Sequence, residues 1–83
     1  MSADRPEILR ITYGEIRPGD TLEEGVEVAG VAIDIRVVPH EVRFETIRGG
    51  WLRPATRIYA SDDPVTVLRW PDRRWGKTEY RIP

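Results

Sequence analysis

The sequence contains no cysteine, a single histidine, a single lysine and only two serines. The missing thiols exclude disulfides, iron–sulfur clusters, thiol catalysis and cysteine zinc sites together, and they fit a reducing, cytoplasmic setting. His40 stands alone in "VVPHEV" beside Glu41, far short of the ligand set that zinc takes. Asp62 and Asp63 precede Pro64 and read as solvated turn residues; the alternating oxygen ligands of a calcium loop are absent. Ser2 and Ser61 lie in no nucleophile elbow, and Gly49–Gly50 lacks the Lys-Ser/Thr that follows in a phosphate loop. The carboxylate pairs Glu23–Glu24 and Glu41/Glu45 are what any acidic surface supplies. No apolar run approaches the roughly 20 residues of a membrane helix. The opening "MSADRPEILR" is polar and has no apolar leader core. The expectation is therefore a non-enzymatic, cytoplasmic protein with no metal, no cofactor and no membrane span.

What is present is arginine and β-sheet signal. Eighty-three residues make one small domain, read as residues 1–83 with 1–6 as a flexible lead-in. At this size the core is small and stability marginal, so association with a partner is a natural resource. Net charge is −1, yet residues 1–35 carry three arginines against eight acids, whereas residues 36–83 carry ten bases against six acids. Twelve of the thirteen bases are arginine, the residue suited to phosphate and carboxylate forks, although a GC-rich genome yields the same bias.

Glycine, proline and β-branched residues alternate along the chain at the spacing of short strands. Leu9, Ile11 and Tyr13 share one face of a strand, with Arg10 and Thr12 on the other. Pro18–Gly19 has the chemistry of a type II turn, and Asp20 and Thr21 are placed to cap loose backbone donors. In "GVEVAGVAIDIRVV", Val26 and Val28 have one parity and Val31, Ile33, Ile35 and Val37 the other. That phase change places a bulge at Ala29–Gly30, with glycine expected to relieve its strain. Val42, Phe44 and Thr46 share a face, and Gly49–Gly50 fits a two-residue hairpin turn. "VTVLRW" is apolar on both faces, and "TEYRI" supplies a last strand. The reading is an all-β fold: five or six antiparallel strands curled by the bulge into a small closed barrel.

The stretch "YGEIRPGDTLEEGVEVAGVAIDIRV", followed by a Gly-Gly hairpin and "DDPVTVLRWP", resembles small SH3-like β-barrel proteins of actinobacteria and their bacteriophages. Ile16 to Thr21 match the opening of that class, and Asp63 to Pro71 match its later segment. The resemblance implies the barrel fold and an actinobacterial or phage origin, with the host cytoplasm as location in the phage case. It carries over no catalytic residue.

The sharpest chemical signal is the interleaving of indole and positive charge. Trp51 and Arg53 follow the glycine hairpin; Arg69, Trp70, Arg73, Arg74, Trp75 and Lys77 surround the connection expected at 71–77. Tryptophan and arginine dominate protein interfaces. Trp51, Arg53, Arg73, Arg74, Trp75 and Lys77 are accordingly the candidate partner-binding residues, for a protein partner (a host protein in the phage case) or a second copy of the chain. The second reading is a nucleic-acid-binding barrel, with bases stacked on indole and phosphates on arginine; the acidic pI of about 5.8 weighs against it. The bland reading makes Trp51 and Trp70 plugs of the barrel ends. Alternation places Trp70 inward at a strand end and leaves Trp75 among charges, for a partner to cover.

Overall fold

A computed structural model of the chain describes residues 5–71 and 77–81; residues 1–4, 72–76 and 82–83 lie outside the described residues. The fold is all-β. Its strands are β1 (Glu7–Thr12), β2 (Glu27–Asp34), β3 (Glu41–Arg48), β4 (Trp51–Arg53), β5 (Tyr59–Ala60), β6 (Pro64–Arg69) and β7 (Thr78–Arg81), with short 3-10 turns at Tyr13–Glu15 and Glu23–Gly25. Among the described residues no helix is long and apolar enough to cross a membrane.

The local sequence signals land where the physics puts them. Gly19 has φ of 98°, closing the turn that Pro18 opens. Gly49 and Gly50 sit at φ of 59° and 81°, so the β3–β4 hairpin turns on two left-handed residues and pairs Arg48 with Trp51. The β2–β3 register slips between Val28 and Gly30, which is the bulge at Ala29. Gly30 itself is not in the left-handed region, so the bulge does not need glycine there in the way expected.

The closed antiparallel barrel is not what forms. β1 and β6 make one antiparallel two-stranded sheet, and β4-β3-β2-β7 make a second, with β5 also pairing β3. The final strand pairs parallel to β2, Val31 against Thr78 and Ile33 against Tyr80, and not with its predecessor β6. By taking the β2 edge, β7 leaves β6 without it as a neighbour, and the seam stays open. The two sheets meet at Thr21, which bridges to Leu68 on one side and Glu27 on the other. Both Thr21–Leu68 backbone bonds are 2.8 Å long.

The core lies between the sheets. Val28, Val31, Ile33, Val42 and Phe44 from the larger sheet close on Ile16 and on Val67 from β6. Each such burial stabilises by roughly 1.5–3 kcal/mol. Leu9, Ile11, Tyr13 and Tyr59 pack against this cluster. Tyr13, Tyr59 and Phe44 stack nearly parallel, with Tyr59 central at 4.2 and 5.1 Å from the other two ring centres.

Trp70 departs from its expected inward position. Val65 and Val67 share the core parity of β6; Thr66, Leu68 and Trp70 have the other. The indole is half-buried outside the core, and its Nε1–H donates to Thr21 Oγ1 at 2.9 Å.

Candidate docking cleft

The turn Arg17–Asp20 is held from within. Asp20 N–H donates to the Arg17 carbonyl at 3.1 Å, and the Asp20 carboxylate accepts from Arg17 N–H at 2.9 Å. That carboxylate is almost fully buried, with its side chain 2% exposed. A buried carboxylate needs a partner, and the chain brings one from 49 residues away. Arg69 Nε donates to Oδ1 at 3.0 Å and Nη2 to Oδ2 at 2.9 Å, a two-pronged fork. Nη2 also reaches the Glu15 carbonyl at 3.1 Å. These bonds raise the Arg69 pKa above its ordinary value, against the opposing effect of its own partial burial. With Trp70 bonded to Thr21, Arg69 and Trp70 at the end of β6 are pinned to Asp20 and Thr21 at the end of the turn.

That pinning builds one wall of a cleft of about 630 Å³ in the open seam between β6 and β7. Arg17 and Pro18 border it on the turn side, Trp70 and Pro71 on the β6 side, and Lys77 and Tyr80 on the β7 side. Tyr80 is 63% exposed. The carboxylates at the cleft, Glu15 and Asp20, are both engaged within the fold. Glu15 accepts from Thr12 N–H at 3.1 Å and from Thr12 Oγ1 at 2.9 Å, and these bonds lower its pKa below the ordinary carboxylate value.

The structure divides the residues singled out in the sequence. Lys77 borders the cleft, but its ammonium lies 3.4 Å from Glu79, which does not border it. Trp51 and Arg53 lie on β4, separated from β7 by β3 and β2, and take no part in it. Arg73, Arg74 and Trp75 fall outside the described residues. Sequence reasoning passed over Arg17, Pro18 and Tyr80 as site residues. Pro18 reads as turn chemistry, Arg17 carries no signal of its own, and Tyr80 reads only as part of the last strand. Only the parallel placement of β7 brings Tyr80 opposite the turn. His40 is remote, in the β2–β3 loop, with its Nδ1 on the Val37 carbonyl at 2.8 Å.

Compared with protein-family models, with curated proteins and with solved structures, the chain matches none.

Proposed function

We propose that the protein is a non-enzymatic binding module of the SH3-like class that docks another protein chain in this cleft. The observation that carries the reading is the convergence of Trp70, Tyr80, Pro18 and Pro71 with the cation of Arg17 around one opening. Aromatic rings and prolines offer rigid apolar area at little entropic cost, and Trp, Tyr and Arg are the side chains that most often anchor interfaces. The Glu15 and Asp20 carboxylates are consumed by hydrogen bonds to the fold, which favours recognition over acid–base chemistry at this place. The Arg17 charge at the opening favours a segment with an acidic residue beside its apolar anchors. If the chain is phage-encoded, the partner is a host protein.

Selection of a random displayed peptide library on the immobilised domain tests this. Wild type is expected to enrich a consensus that Tyr80→Ala, an exposed change, binds at least about tenfold more weakly, the truncation cost of an interface anchor. No enrichment, or the same consensus with equal strength on both variants, overturns the reading.

A further inference from the structure

A second surface lies on the opposite edge of the larger sheet. Between Thr46 and Ile58 the chain has three arginines, Arg48, Arg53 and Arg57, and no carboxylate. The hairpin register sets Arg48 directly across from Trp51 and Thr46 across from Arg53. Residues directly opposite share a face, as do residues two apart along a strand. Arg48, Trp51 and Arg53 therefore stand on one face of the β3–β4 arm, with the indole between two guanidiniums.

The ring is 74% exposed, an unusual state for the largest apolar side chain. The tip of the arm is Gly49–Gly50, which adds no side chain to obstruct approach. On β4 the strand ends after three residues at Pro54; a short strand closed by proline is a poor template for adding another strand. Arg57 completes the positive surface at the base of the arm, its guanidinium 5.1 Å over the Tyr59 ring.

We propose that the β3–β4 arm binds an unpaired nucleic acid strand, with a base stacked on Trp51 and backbone phosphates held by Arg48, Arg53 and Arg57. The charge of this segment is complementary to a polyanion. Guanidinium forks match phosphate oxygens in a way that a lysine surface does not. An open indole face offers its stacking energy only to a base whose own face is free, which a duplex hides. The chain's near-neutral net charge limits affinity for nucleic acid at large, so binding is confined to this arm and takes two or three phosphates.

Fluorescence anisotropy decides it, using labelled oligo-dT and oligo-U of about 15 nucleotides, a span within the site sizes known for single strands. Binding is expected at about 50 mM salt and should weaken roughly 7- to 20-fold by about 200 mM, the slope for two or three phosphates on a single strand. Trp51→Ala should weaken it roughly 5- to 150-fold, the span of one lost stacking contact. Arg53→Gln should weaken it and flatten the salt slope. Arg10→Gln, an exposed arginine on β1 in the other sheet, should leave it unchanged. Far-UV circular dichroism of each variant shows that the fold persists. Should Trp51→Ala lose the fold, the Arg53→Gln and Arg10→Gln pair still decides. No binding at low salt overturns the proposal. So do equal losses from Arg10→Gln and Arg53→Gln, a duplex bound as tightly as a single strand, or binding to phosphatidylserine vesicles with none to oligonucleotides.

Discussion

Asp20 shows at the scale of one residue how a distant partner becomes indispensable. Its carboxylate accepts three hydrogen bonds: one from Arg17 N–H, which shapes the turn, and two from Arg69, which ties β6 to it. Such a pair contributes little net stability compared with an apolar replacement, yet breaking it leaves a desolvated charge behind. Arg69→Met should therefore destabilise by about 3 kcal/mol, because it strands the buried Asp20 carboxylate. Asp20→Ala should cost less, because Arg69 is 25% exposed and keeps its bond to the Glu15 carbonyl. The double variant should recover part of the loss, with a coupling of about 1 kcal/mol or more. Urea unfolding of the four proteins measures this. Strictly additive effects would mean that the fork is a surface contact with no hold on the turn.

At the scale of the element, the turns separate two uses of glycine. At Gly50 the backbone is left-handed, so Gly50→Val should cost about 1–2 kcal/mol through the clash between Cβ and the neighbouring carbonyl. At Gly30 the backbone is not left-handed, and an added Cβ would meet the Glu45 Oε1 atom at 3.3 Å. That atom ends a flexible side chain and can move. Gly30→Ala should thus shift the melting temperature far less than Gly50→Val, and a larger loss at Gly30 would restore the strained bulge that the sequence implies. The bulge was legible because the parity of Val28 and Val31 differs, and that is a local signal. The same holds for Pro18–Gly19 and Gly49–Gly50, where φ is dictated by the residue itself. The partner of β7 was not legible. Four residues that alternate correctly fit the edge of β2 as well as the edge of β6, and nothing in "TEYR" distinguishes them. Trp70 was misplaced for a related reason: with both faces of "VTVLRW" apolar, alternation alone does not say which one meets the core. The candidate site inherits both ambiguities. Its basic and aromatic composition could be read, whereas its division between a cleft and a hairpin arm depends on strand order.

On the scale of the whole molecule, two sheets share one core and are bridged through Thr21, so their stabilities should be inseparable. Val67 is the fully buried residue that the β1–β6 sheet contributes, at 1% exposure, to a cluster otherwise built from β2, β3 and Ile16. A two-stranded sheet has no independent stability in water, so β1–β6 persists only while Val67 and its neighbours are covered. Val67→Ala should lower stability by about 2 kcal/mol, the lost transfer of two methyl groups plus the cavity they leave. It should do so without uncoupling the sheets. Tryptophan fluorescence sums Trp51 on the larger sheet, Trp70 beside β6 and Trp75 beyond it in the sequence, while far-UV circular dichroism reports both sheets. In wild type and variant alike the two probes should trace one coincident denaturant transition, with an earlier midpoint and the same slope in the variant. Two separated transitions, or a variant that loses slope, would show that β1–β6 comes away by itself and that the seam at Thr21 is a hinge and not a joint.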